Sequence, residues 1–571
     1  MGEEKLKMMM KNMKIKSLKT IAYAGVMQVM AVGCATDGVE FSDFTYQGMD
    51  EVWNVEIDSA HQYLNPIVGG YYPDPALCRK GDDYFLVNSS FSYYPGVPIF
   101  HSKDLVNWTP LGHVLNRPSQ LKLDGIRLSG GIYAPDIQYN PQNDTFYMIT
   151  TCVDGIGNFY VKTKDPFAGH WSDPIVVPTV HGIDPSFFFD EDGKAYIVHN
   201  DAPEGNPQWQ GHRAIRIHEF DIANDSVLNS TKIIIDGGVD RSKHPIWIEG
   251  PHLYKVSGKY YLMAAEGGTS IDHSEVIFVS DSPMGEYKPC AINPILTQRD
   301  LPADRLHPVT NSGHADLIDT PEGNWYAVFL ACRPYKNNVF NTGRETFMLP
   351  VTWNDEQPVI LEQGKSIPYV VNKASLTPKG AALSGNFSET IRFSEPLDYR
   401  WSLVRTPDEK WWKAEDGHLY IQPRPVALSE AAHPAFIGRR QQHTSFEVSV
   451  KMRNFVPQSE NDMAGLACYM DEQHYFLLGL TQVEGENRFV VECNYKQRTV
   501  LGSVTAEATD DVLFKIKGEG EDYSFYVSTD GGQQWITLCE KADGSIISTA
   551  HAGGFTGVML GMYVSNRHNE R

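Results

Sequence analysis

Gly182-Ile183-Asp184-Pro185-Ser186-Phe187-Phe188-Phe189-Asp190 places one carboxylate just ahead of a strongly apolar run of strand-forming residues. Asp192-Gly193 then supplies a turn, and Ala195-Tyr196-Ile197-Val198 reads as the returning strand. The unit recurs. Other copies begin at Tyr72-Pro73-Asp74-Pro75, Ala134-Pro135-Asp136-Ile137, Trp247-Ile248-Glu249-Gly250 and Ser312-Gly313-His314-Ala315. An aromatic follows each copy about ten to twelve residues later: Tyr84-Phe85, Phe146-Tyr147, Tyr196, Tyr260-Tyr261 and Trp325-Tyr326. Gly or Asn-Asp turns lie between. A spacing of roughly 50 to 65 residues leaves room for four strands per copy, the pattern of a propeller blade. Five copies predict five blades.

In a propeller the innermost strands surround one axis, so equivalent positions of the copies meet. That convergence would gather Asp74, Asp136, Asp184, Glu249 and His314. Clustered carboxylates repel one another and lose hydration, which makes them poor structural elements. They suit glycosidic bond cleavage, in which one carboxyl stays protonated and another ionised. An inverting enzyme holds the two about 6.5–9.5 Å apart to admit a water. A third carboxylate nearby raises the acid's pKa by repulsion.

Composition frames the same picture. The chain has 571 residues, 42% hydrophobic and 21% charged, enough for two cores. Its 48 Gly, 34 Pro and 11% aromatics favour short strands and tight turns. A net charge of −22 excludes nucleic acid as a partner and suits a neutral substrate such as a carbohydrate. Lys11, Lys14, Lys16 and Lys19 precede the mostly apolar run 21–32, an export signal too short to span a membrane once mature. It ends in Ala31-Val32-Gly33-Cys34, resembling a lipoprotein box with Cys34 as the lipidated residue. The expectation is export to the periplasm or cell surface, with membrane contact only through that lipid. The other seven cysteines show no pairing pattern or zinc spacing and are expected as buried free thiols.

The expected layout is a signal at 1–34, a tether and lead-in strand at 35–60, a propeller at 61–365 and a linker at 366–385. A β-sandwich at 386–571 follows, with alternation such as Ser445-Phe446-Glu447-Val448-Ser449-Val450-Lys451. The class is all-β. Ser528-Thr529-Asp530-Gly531-Gly532-Gln533-Gln534-Trp535 fits a sialidase Asp-box but occurs once, and it reads as a hairpin turn.

The first region resembles glycoside hydrolase family 43, the five-bladed β-xylosidases and α-L-arabinofuranosidases. The resemblance rests on Tyr72-Pro73-Asp74-Pro75, Tyr94-Pro95-Gly96-Val97-Pro98-Ile99-Phe100-His101-Ser102-Lys103-Asp104-Leu105, Ala134-Pro135-Asp136, Gly182-Ile183-Asp184-Pro185-Ser186, Glu249-Gly250-Pro251 and Gly343-Arg344-Glu345-Thr346. It implies Asp74 as general base, Glu249 as general acid and Asp184 as the residue that tunes the acid. It implies Phe91, Tyr133, Asp136 and Arg344 at the substrate, although Tyr133-Ala134-Pro135-Asp136 departs from the Trp-Ala-Pro-His of the xylosidases. His314 matches a channel histidine that in some members ligates calcium or a water, so a structural calcium in the channel is the one metal the resemblance suggests, and no cofactor is required. Arg439-Arg440-Gln441-Gln442-His443 and Ala464-Gly465-Leu466-Ala467-Cys468-Tyr469 resemble the concanavalin-like sandwich of these enzymes, whose loop narrows the active-site mouth. The implied activity is inverting, exo-acting release of xylose or arabinofuranose from oligosaccharides of plant polysaccharides. The alternatives are an endo-arabinanase, which the sandwich argues against, and a non-catalytic glycan-binding lipoprotein, which would have no need of an acidic cluster.

Overall fold

A computed structural model describes residues 38–354, 357–373, 383–506 and 511–566. Cys34 and the rest of the stretch read as an export signal lie outside the described residues. Five antiparallel sheets follow one another along the chain, each running outward from an innermost strand. Those inner strands are Ala76–Lys80, Gly131–Asn140, Ile183–Phe189, Glu249–Val256 and Thr310–Asp319. This is the expected five-bladed propeller. The ring is tied where Gln62–Leu64 pairs antiparallel with Val370–Asn372, so part of the span read as a linker is a strand. Asn65 adds to the tie, its amide donating to the Met348 carbonyl at 2.9 Å.

Three consecutive phenylalanines in an inner strand follow from burial on both faces of the third blade. Phe187 and Phe189 pack on Tyr147 of the second blade at 5.5 and 5.1 Å between ring centroids. Phe188 points the other way, toward Tyr260 of the fourth blade at 6.1 Å. A strand covered on both sides carries a continuous apolar run rather than alternation. Edge-to-face rings then supply the spacing between blades.

The C-terminal region is a β-sandwich of two eight-stranded sheets. One sheet contains Val39–Gly48 between His418–Ile421 and Ser445–Arg453. The stretch read as a tether and lead-in therefore holds an interior strand of the distant domain. Its alternation was hidden by a bulge: the register shifts between Ser42 and Thr45, with Asp43 at φ 50°. Val39 and Phe41 face the core before it, Phe44 and Tyr46 after it, so the period of two changes phase mid-strand. The other sheet ends on Tyr93–Tyr94, a two-residue strand contributed by the propeller. All seven cysteines of the described residues are free, and only Cys290 and Cys539 are not fully buried. Asp530 accepts from Ser528 Oγ and the Gln534 amide, closing the hairpin turn that was expected.

Candidate active site

Four of the inner strands break register at the same point, between Tyr133 and Asp136, Ile183 and Ser186, Glu249 and His252, and within 310–316. A bulge bends a strand and re-aims one side chain. Left-handed backbone recurs at this point in four blades, at Asp74 with φ 50°, Asp184 with 54°, His314 with 52° and Gly250 with 56°, the first of them just ahead of a strand without a bulge. Non-glycine residues hold that conformation at a cost, and such outliers cluster at functional sites. Gly182 makes the bulge of the third blade possible, since a Cβ there would stand 2.0 Å from the Asn200 carbonyl oxygen. In the fourth blade the left-handed residue is Gly250, so the carboxylate sits one position earlier, on the longer side chain of Glu249.

Asp74, Asp184 and Glu249 line one cavity of about 510 Å³ with Arg344 and His314. All three carboxyls are buried. Burial, then the charge of Asp74, pushes the Asp184 carboxyl up to about 7. Burial, then the charge of Asp184, holds Glu249 well above the usual carboxylate range. The Gly250 amide donates to Asp184 Oδ2 at 3.1 Å and works against that rise. Asp74 is different. Arg344 stands 3.2 Å from its Oδ1 and 3.3 Å from its Oδ2, a cationic partner that neither neighbour has to itself. Ser89 Oγ donates to Asp74 Oδ2 at 2.5 Å, while Oδ1 has no hydrogen-bond partner. His314 Nδ1 lies 3.7 Å from that Oδ1, and burial lowers its imidazole to about 4, so it stays neutral near pH 7.

The aromatic wall comes from both domains. Phe91 meets Tyr133 edge-on at 5.0 Å, and Arg344 lies 5.8 Å from the Phe91 ring. Phe555, from the sandwich, stacks on Phe91 at 6.0 Å and stands 5.2 Å from Arg344. Nothing in the sequence singled out Phe555. Its segment is clamped to the propeller: the Phe555 amide donates to Ser129 Oγ, and the Val558 amide to the Asn341 carbonyl. Gly557 allows the approach, since a Cβ there would meet the Gly343 nitrogen at 2.9 Å.

Residues 63–358 match the family described as Glycosyl hydrolases family 43. The chain belongs to that family. Residues 391–571 match the Beta xylosidase C-terminal Concanavalin A-like domain. A Xylosidase/arabinosidase of Butyrivibrio fibrisolvens is 37% identical over 88% of this chain and 95% of its own length. A non-reducing end alpha-L-arabinofuranosidase of Bacteroides ovatus is 35% identical over 90% of this chain and 93% of its own. The crystal structure of a family 43 protein from a capybara gut metagenome superposes with a TM-score of 0.85 at 40% identity. It covers 92% of this chain and 99% of that one.

In this family 43 glycosidase the expected site residues Asp74, Asp184, Glu249, Phe91, Tyr133, Arg344 and His314 all line the cavity. Asp136 does not. The residue equivalent to Asp74 in its blade is Ala134, each standing directly before a proline (Pro75, Pro135), and Asp136 lies two positions further down the strand. It belongs to a second layer with His252 and Asp316, whose ligand-type atoms come within 4.8 Å of one another. Among the described residues this is the grouping of three such donors, and His314 is not part of it. Its one nitrogen and two carboxylates suit calcium badly, since calcium takes six to eight oxygens. Asp136 Oδ1 and Asp316 Oδ1 moreover already accept from Gln138 and Tyr254.

Proposed function

We propose that this glycosidase removes single xylose or arabinofuranose units from the non-reducing ends of plant-derived oligosaccharides, with inversion of configuration. The observation that carries the reading is the division of labour among three buried carboxyls in one cavity. Glu249, kept protonated by burial and by Asp184, donates to the glycosidic oxygen. Asp74, ion-paired with Arg344 and with Oδ1 accepting no hydrogen bond, takes the proton of the attacking water. Asp184 reaches no proton of its own in this scheme and acts by repulsion on Glu249. Phe91, Tyr133 and Phe555 form an apolar collar around the sugar, and the wall supplied by Phe555 favours a chain end over a continuous polymer. The names borne by the relatives support both pentoses.

The test compares an aryl β-xyloside and an aryl α-L-arabinofuranoside in one assay, with product anomers followed by proton NMR. Hydrolysis of at least one, giving the inverted anomer first, is expected. Activity on neither would overturn the reading, and a retained anomer would overturn the single-displacement scheme.

A further inference from the structure

The loop 245–248 ahead of the acid carries an aromatic, Trp247, whose side chain hydrogen-bonds Glu249 and whose ring also faces the cavity. Trp247 has φ 58°, and a bulky aromatic in the left-handed region is an outlier that surrounding structure must enforce. The enforcement is visible. The Trp247 amide donates to the Gly211 carbonyl, and the Gly267 amide to the Ile246 carbonyl, both at 2.8 Å. Trp209 Nε1 donates to the Pro245 carbonyl at 2.8 Å, and Asn200 Nδ2 to the Ile248 carbonyl at 2.6 Å. Despite these four ties, Trp247 remains 37% exposed and Ile246 51% exposed, and both line the cavity. Apolar side chains are thus pinned outward rather than folded in.

Arg213 backs the indole, with its guanidinium 5.1 Å from the ring centroid. Asn200 Oδ1 fixes that guanidinium by accepting from Nε at 3.0 Å and Nη2 at 2.6 Å. A cation behind the ring rigidifies it, and the exposed remainder of the indole is left to the cavity. Position then decides what meets it. The acid must stand at the glycosidic oxygen, so the leaving group lies along the wall beside Glu249. Trp247 and Ile246 are that wall, two and three residues upstream.

We propose that Trp247, flanked by Ile246 and braced by Arg213, is the platform for the leaving-group sugar, a neutral ring of an oligosaccharide that stacks its C–H face on the indole. The assignment rests on the pentoside-hydrolase reading and adds the recognition of the part of the substrate that is not released. A neutral sugar is the fitting class because three carboxyls share the cavity.

The test uses the full-length Glu249→Gln chain, which removes turnover, and isothermal titration with xylose, xylobiose and an arabinofuranosyl-xylobiose. Adding Trp247→Ala is expected to weaken oligosaccharide binding about tenfold while leaving monosaccharide binding within about twofold. Trp247→Tyr is expected to restore most of the loss. Equal weakening for mono- and oligosaccharide, or no weakening of either, would overturn the platform. So would oligosaccharides that bind no more tightly than xylose with Trp247 present. If the alanine variant melts several degrees lower, Ile246→Ser carries the comparison in a folded protein, with oligosaccharide binding weakened and monosaccharide binding kept. Failure of the wild-type enzyme to hydrolyse any pentoside is a separate result that strikes the proposed function itself.

Discussion

The buried carboxylates at the seam of the two domains and those of the cavity are built on opposite principles. At the seam of propeller and sandwich, Arg333 binds Glu345 through Nε at 2.6 Å and Nη2 at 2.9 Å, and Asp50 through Nη1 at 2.6 Å. The remaining capacity is also filled. Glu345 accepts from the Gly70 amide and Thr342 Oγ1, and Asp50 from Thr444 Oγ1 and the Ser445 amide. Every carboxylate oxygen has a donor. In the cavity three carboxyls crowd together, Arg344 pairs with Asp74 alone, two carboxyls are pushed toward the neutral form, and Asp74 Oδ1 accepts no hydrogen bond. A buried charge with all its partners holds domains together, whereas one with a partner missing is ready to exchange a proton.

The comparison is broken most sharply from the catalytic side. Glu249→Gln and Asp74→Asn should each lower kcat/KM on oligosaccharides by about 10²–10⁴-fold, the range of general acid–base catalysis, with melting unchanged or raised. Glu249→Ala should spare aryl substrates with good leaving groups far more than oligosaccharides. Equal losses on both would assign the acid elsewhere. Arg333→Ala should do the reverse. It leaves Glu345 and Asp50 buried without their cation, a loss of about 3–5 kcal/mol. Because Arg333 also donates to the Gln442 carbonyl of the sandwich, both domains should lose stability in urea titration. An Arg333→Ala protein as stable as wild type would show that the seam does not depend on this ion cluster.

The carboxylates were legible in the sequence because a repeat with a shared turn and aromatic puts equivalent residues on one axis. The same logic misplaced Asp136, since a repeat fixes the blade but not the phase of a bulge, and two positions separate one layer of the channel from the next. Val39–Gly48 was missed for a related reason, its alternation being interrupted at Asp43. Phe555 could not be read at all. It reaches the cavity from a different domain, more than 450 residues after Phe91, through contacts of two glycines and a serine that carry no local signal. Periodicity reports which face of an element is buried. It does not report which distant element covers it.

The finest distinction between the two groups concerns Asp184, and charge removal tests it in two ways. Asp184→Asn deletes the repulsion that holds Glu249 protonated, so the acid should ionise at lower pH. The basic limb of the kcat/KM profile should then move down by on the order of one pH unit. The second consequence concerns stability. A carboxyl near 3.8 in the unfolded chain and about 7 when folded favours the native state fully below 3.8, and loses that contribution as pH rises toward 7. Asparagine does not titrate. The variant should therefore melt higher than wild type at pH 8, and the advantage should shrink toward pH 5. If Asp184→Asn melts lower at both pH values and leaves the basic limb in place, Asp184 supports the strand rather than the acid.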